Sequence, residues 1–303
     1  MRIPFNQRTL KRATSCTGVG LHSGKPVTVT LKPAPANQGI TFVRTDLPNR
    51  PSVSAHFNRV VDTSLATVIG SDGFIVSTIE HLMATFAGLS IDNAFVELDA
   101  YEVPVMDGSA APYTGLILDA GIREQTAARQ YFVITEPIEL REDGKFVGIY
   151  PHDRFRISCN ISFDNPAIGE QQYCLDLSDE AFAREISPAR TFGFLHEVEY
   201  MKSYGLAQGG SLENAVVVDE DGVINEEGLR FRDEFVRHKL LDSLGDFSLL
   251  GMPVLGHLKV FKSGHAFKHA FLKKFFQCKQ SWETRTINEP FRVPQLEPKA
   301  LAI

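Results

Sequence analysis

Cysteine is scarce in this chain of 303 residues: there are four, Cys16, Cys159, Cys174 and Cys278. None stands in a C-x-x-C pair, which argues against paired-thiol zinc and redox motifs and reads as reduced thiols in a cytoplasmic protein. Long hydrophobic runs are also missing. No stretch approaches the roughly 18 apolar residues of a membrane span. Residues 1–14 are mixed and polar, without the apolar core of a signal peptide. Positive charge is in deficit, with 31 Lys and Arg against 37 Asp and Glu, a net charge of −6. No basic and aromatic stripe is present, so nucleic acid is not an expected partner. An anionic small molecule would have to be held by local cations. Two glycine-rich segments, 17–24 and 106–110, lack the spacing of dinucleotide or P-loop motifs and read as turns.

What the chain does have is a 43% hydrophobic content, ample for packed cores, and enough length for two domains. Strict alternation over 26–32 (Val27, Val29, Leu31) predicts a half-buried strand. Further strands are expected at 94–98, 131–134, 156–163 and 258–261. Helices are expected at 77–88, 109–120, 178–185, 194–204, 230–248 and 265–283. The polar stretch 124–130 reads as a linker. Strands interleaved with helices point to an α+β fold.

The most informative segment is His238-Lys-Leu-Leu-Asp242, with Asp246 a turn further on. On a helix these three polar residues share one face, roughly opposite an apolar stripe of Val236, Leu240, Leu244 and Phe247. That spacing suits two ligands of one divalent metal; taken alone, it equally suits a solvated face. Ser77-Thr-Ile-Glu-His81 opens an amphipathic helix (Ile79, Leu82, Met83, Phe86) ended by Gly88. Ser77-x-x-Glu80 matches a capping box. A Glu beside a His also suits metal-assisted hydrolysis, with the Glu taking a proton from water. Lys262-Ser-Gly-His265 follows an expected strand, which puts His265 on a loop, where catalytic side chains concentrate. Ser187-Pro-Ala-Arg-Thr-Phe-Gly-Phe194 sets a hydroxyl among aromatic residues, a pattern that ordinary loop packing also explains.

Together and in order, these segments resemble the UDP-3-O-acyl-N-acetylglucosamine deacetylases of lipid A synthesis. The matching pieces are Gly18-Val-Gly-Leu-His-Ser-Gly24, Thr78-Ile-Glu-His-Leu82 and Glu102-Val-Pro-Val-Met-Asp-Gly-Ser-Ala110. They continue with Ala189-Arg-Thr-Phe-Gly-Phe194, Leu206-Ala-Gln-Gly-Gly-Ser211, Asn225-Glu-Glu-Gly-Leu-Arg230, His238-Lys-Leu-Leu-Asp242, Gly245-Asp246 and Lys262-Ser-Gly-His265. They cover the chain to about residue 285.

The resemblance implies two similar β-α-α-β sandwich domains, each with a small insert, and an active site at their interface. The expected division is 1–126, 131–285 and a tail over 286–303. It implies zinc on His81, His238 and Asp242, although iron(II) fits the same ligands. Glu80 matches the general base, His265 the general acid, Asp246 the carboxylate that orients it, and Thr191 an oxyanion-holding hydroxyl. Lys239 matches a substrate-site lysine, and Lys262 lies within a site motif and is a candidate for phosphate charge. Phe192 and Phe194 fall where the family lines its acyl passage, and Phe163 where an aromatic can stack on uracil. The implied reaction is N-deacetylation of an acylated UDP-N-acetylglucosamine, giving UDP-3-O-acyl-glucosamine and acetate, an early committed step of lipid A biosynthesis. The ending Ala300-Leu-Ala-Ile303 is similar to family tails recognised by a protease.

The chain departs from the family's pattern at Pro188, where a basic residue is expected, at Asn165 in place of His, and at Ser64 in place of Met. It departs again at Ala266-Phe-Lys-His269, where Ala-Leu-Asn-Asn is usual. Three rival readings remain open: a general sugar deacetylase, a non-haem iron oxygenase using the same His-His-carboxylate set, and a non-catalytic, metal-stabilised sugar-nucleotide-binding protein. The oxygenase would leave Glu80 and His265 without a task.

Overall fold

The structure, a computed structural model, describes residues 4–287. The expected protease signal at 300–303 lies outside the described residues. Six α-helices occur among the described residues: α1 Glu80–Gly88, α2 Ala111–Ala120, α3 Asp179–Ala181, α4 Leu195–Ser203, α5 Glu234–Ser248 and α6 His265–Gln277. With several sheets beside them, the fold is α+β, as expected. Among the described residues, no helix is long and apolar enough to cross a membrane.

The first half is built on a five-stranded sheet ordered Thr14–Val19, Pro26–Pro33, Ala94–Leu98, Ile40–Arg44 and Ser52–Ser54. The alternation that predicted Pro26–Pro33 is realised: Val27, Val29 and Leu31 are buried, while the residues between them are only partly covered. A small sheet of Val60–Asp62, Val68–Ser71 and Phe74–Val76 leads into α1. The second half is built on a seven-stranded sheet around Val254–Phe261. That strand pairs in parallel with Gln130–Ile134 and Phe155–Ser162, and antiparallel with Lys145–Tyr150. One continuous apolar core joins the halves, taking in Leu82, Met83 and Phe86 of α1 and Phe235, Leu240, Leu241 and Leu244 of α5.

The helix–helix contact at the centre of that core has a local cause. A Cβ on Gly245 of α5 would collide with the backbone carbonyl of Glu80 at the start of α1. Glycine therefore lets α5 lie directly against the first turn of α1. The apolar stripe read from α5 is real, but the opposite face is not solvated. His238, Asp242 and Asp246 are all buried.

Two expectations are overturned. Residues 124–130 are not a linker: Ile122–Ala128 is a strand, antiparallel to Asn6–Leu10. It is polar because the two-stranded ribbon buries none of its seven residues and leaves four exposed. The helix expected over 265–283 ends at Gln277, and Trp282–Thr286 is a strand beside Gln130–Ile134. Boundaries move elsewhere too. The segment 178–185 is only a short α-turn running into a π-turn over Phe182–Ile186, and α5 starts at Glu234 rather than 230.

Candidate metal centre and active site

Glu80 and His81 are the first two residues of α1. The capping-box reading fails, because Ile79 holds the N-cap position and no side chain caps the helix. The Glu80 carboxylate instead accepts a hydrogen bond from the Thr67 backbone N–H at 3.1 Å. Being the first helical residue, Glu80 turns toward α5 and α6 rather than back on its own turn.

His81, His238 and Asp242 converge, each offering one ligand atom within 4.8 Å of the others. Asp242 Oδ1 lies 3.3 Å from His238 Nε2 and 3.7 Å from His81 Nε2. The two imidazoles meet edge to face, 4.9 Å between centroids. His238 donates its Nδ1 proton to the Ala189 carbonyl at 3.0 Å, which orients the ring so that Nε2 faces Asp242. That carbonyl is itself anchored. Arg190 donates its backbone N–H and its guanidinium to Glu234, in the first turn of α5, in a fully buried ion pair. Burial, then the neighbouring His238, push the His81 pKa down to about 3. Burial opposes ionisation of Asp242, but Lys239 and His238 outweigh it and hold the carboxyl well below its usual range. A neutral His81 and an ionised Asp242 are in the protonation states a divalent cation needs, and two nitrogens with one oxygen form a catalytic rather than a closed structural donor set.

The second group flanks this cluster. His265, at the start of α6, places Nε2 3.9 Å from Glu80 Oε1 and Nδ1 2.8 Å from Asp246 Oδ2. Thr67 gives its hydroxyl proton to Asp246 Oδ1 at 2.5 Å, and Lys268 Nζ lies 2.6 Å from Oδ2. Burial raises the Glu80 pKa to about 7; His265 pulls it down, while Asp246 and Asp242 push it up further. Burial works against the His265 imidazolium, yet Asp246 prevails and raises its pKa. The pair thus combines a carboxyl that is easy to protonate with an imidazole that holds its proton. Such a pair can carry one base and one acid at the same pH.

The remaining expected residues are placed less tightly. Lys239 sits between the cluster and the aromatics, 3.0 Å from Asp242 Oδ2 and 5.3 Å from the Phe192 ring centre. Phe163, Phe192 and Phe194 pack together, with Phe163 5.8 Å from Phe192 and 5.9 Å from Phe194, and Phe192 6.4 Å from the His238 ring. Phe192 and Phe194 lie in a three-residue strand parallel to Val216–Val218, not in a loop. Thr191 is fixed through its backbone, which donates to Gly108 and accepts from Val216, each at 2.8 Å. It lies two residues from the carbonyl that orients His238. Lys262 is exposed, in the left-handed region at φ 48°, with Nζ 5.4 Å from the Phe261 ring centre; no contact ties it to the cluster. Of the two glycine-rich segments, 106–110 is a turn, but the first is a turn only beyond residue 19, because residues 17–19 complete the strand Thr14–Val19; that turn is held by Glu102, which accepts the His22 and Ser23 N–H groups at 2.8 Å. Among the site residues, sequence reading missed Thr67, Lys268 and Glu234. Only Lys268, at i+3 from His265 on one helix, carried a signal of spacing.

The model of the family described as UDP-3-O-acyl N-acetylglycosamine deacetylase matches residues 7–277. A protein of Myxococcus xanthus named UDP-3-O-acyl-N-acetylglucosamine deacetylase is 54% identical over 92% of this chain and 89% of its own length. Proteins of the same name from Anaeromyxobacter sp. and Histophilus somni are 48% and 46% identical. These two alignments cover 99% and 96% of this chain, and 98% and 96% of the relatives.

Proposed function

The chain belongs to the UDP-3-O-acyl-N-acetylglucosamine deacetylase family, and from that premise we propose that His81, His238 and Asp242 hold its catalytic divalent metal. The protein is a hydrolase of lipid A biosynthesis. It removes the N-acetyl group of UDP-3-O-acyl-N-acetylglucosamine and gives acetate and the free 2-amino sugar nucleotide. In our reading the metal is zinc, the enzyme works in the cytoplasm, and the site lies between two β-α-α-β sandwich domains, 1–126 and 131–285.

When bound, a divalent ion supplies Lewis-acid chemistry: it lowers the pKa of water toward about 7 and polarises a carbonyl. The chain's own residues do the rest. Glu80 takes a proton from the attacking water. The Thr191 hydroxyl donates to the oxygen that becomes negative at the acetyl carbon. His265, protonated and held at Nδ1 by Asp246, gives its Nε2 proton to the departing amine. Lys239 and Lys262 meet the diphosphate, whose charge the acidic protein as a whole repels. Phe192 and Phe194 line the acyl passage, and Phe163 beside them offers a ring face to the uracil.

The observation that carries this reading is the facing of Glu80 and His265 at 3.9 Å beside the His-His-Asp cluster. A non-haem oxygenase or a passive sugar-nucleotide binder has no use for such a pair. The test is acetate release from the acylated UDP-sugar by metal-loaded protein, lost on chelation and restored by zinc. Substrate binding without acetate release would refute it.

A further inference from the structure

Lys268 is buried to 1% side-chain exposure in the interior of the protein. A buried ammonium persists where a partner offsets its lost hydration. That partner is Asp246, whose Oδ2 is shared between Lys268 Nζ at 2.6 Å and His265 Nδ1 at 2.8 Å. Lys268 follows His265 by three residues on α6, so both side chains leave one face of the helix and reach the same oxygen. The other oxygen, Oδ1, takes the Thr67 hydroxyl. Asp246 is therefore fastened from α6 and from Thr67, with no rotation left to it.

We propose that Lys268 is a positioning residue for the proton donor: by sharing Asp246 Oδ2 it holds the carboxylate aimed at His265 and keeps that imidazolium acidic enough to release its proton. This inference rests on the acid role assigned to His265 above. An Asp–His pair alone would stabilise the imidazolium and make it a reluctant donor. A second cation on the same carboxylate divides that stabilisation. Around His265 the facing groups are Glu80 from α1, Asp246 from α5, the Thr67 hydroxyl, and Lys268 from its own helix. His81 and Asp242 act on it from further off. Asp246 and Glu80 favour its charged form and Lys268 opposes it. Lys268 itself meets Asp246, and the Cys159 thiol of Phe155–Ser162 lies within its field; burial pushes that thiol up to about 12, so it stays neutral. The next residue, His269, contacts the Phe57 carbonyl instead, at 2.9 Å.

The experiment compares pH–rate profiles of the metal-loaded enzyme and its Lys268→Met and Lys268→Arg variants. Lys268→Met should keep its metal, move the alkaline limb to higher pH, and lower kcat with KM unchanged, because Lys268 is not assigned to the substrate. Lys268→Arg, which keeps the charge, should return the limb toward the parent position. An unmoved alkaline limb in folded Lys268→Met overturns the proposal, as does a change confined to KM. A second readout needs no variant: in the parent protein the Lys268 ammonium NMR signal should shift with the same midpoint as the His265 imidazole. A Lys268 signal fixed through that titration overturns the proposal even if Lys268→Met fails to fold. A parent that releases no acetate would refute the functional reading itself, which separates the two failures.

Discussion

Gly245 and Glu80 touch backbone to side-chain position: a methyl group on the α5 glycine would overlap the Glu80 carbonyl that opens α1. This contact joins the half of the chain that carries Glu80 and His81 to the half that carries His238, Asp242 and Asp246. Gly245→Ala sets two effects against each other. Alanine favours a helix interior by about 1 kcal/mol, while overpacking costs about 1–3 kcal/mol. A backbone atom cannot rotate away, so overpacking wins. The variant should melt at lower temperature and bind metal more weakly, because α1 and α5 must separate. Unchanged Tm and metal affinity would show that the contact is not tight.

Removing a ligand should act on metal and rate together. His238→Ala and Asp242→Ala each delete one of the three proposed donors, and elemental analysis should find less bound metal in step with lost acetate release. Asp242→Ala carries an added cost, since Lys239 loses the carboxylate 3.0 Å away. Full metal occupancy in both purified variants would remove the assignment.

The aromatic group beside His238 predicts a dependence on the acyl chain. Burying a methylene is worth at most about 0.8 kcal/mol, and ordering the chain offsets part of it. Several methylenes still change binding by orders of magnitude. UDP-N-acetylglucosamine without the 3-O-acyl group should be a very poor substrate, and Phe192→Ala should lower kcat/KM for the acylated substrate more than for the bare one. Equal use of both substrates by the unmodified enzyme would mean that Phe192 and Phe194 line no acyl passage and that the enzyme is a general sugar deacetylase.

Much of the candidate site was legible because two of its clustered side chains obey helical spacing. His238 and Asp242 are i and i+4 on α5, and the alternation at Val27, Val29 and Leu31 named its strand directly. What failed did so for physical reasons. The polarity of Ile122–Ala128 reflects a half-exposed ribbon, which looks like a linker when its partner, Asn6–Leu10, is more than a hundred residues away. Glu80 matched a local capping pattern, but its carboxylate is claimed by Thr67 and faces His265 instead. Thr67 reaches Asp246 across 179 positions, and no local period announces such a contact. Lys268 sits in a Lys-rich helix whose other lysines, at 273 and 274, are not buried.

The central claim is that Glu80 and His265 work in opposite protonation states beside one metal, and the pH–rate profile of acetate release tests it most directly. Glu80 is active as the carboxylate, so rate rises as pH climbs through its pKa. Burial sets that pKa near 7 in the metal-free protein, and a bound dication favours the carboxylate and moves the limb lower. His265 is active as the imidazolium, so rate falls as pH climbs through its raised pKa. The parent should give a bell, Glu80→Gln should lose its acid limb and His265→Ala its alkaline limb. Each variant should retain its metal and fall about 10²–10⁴-fold in rate. Near-normal turnover in either metal-loaded variant, or a bell that survives both substitutions, would contradict it.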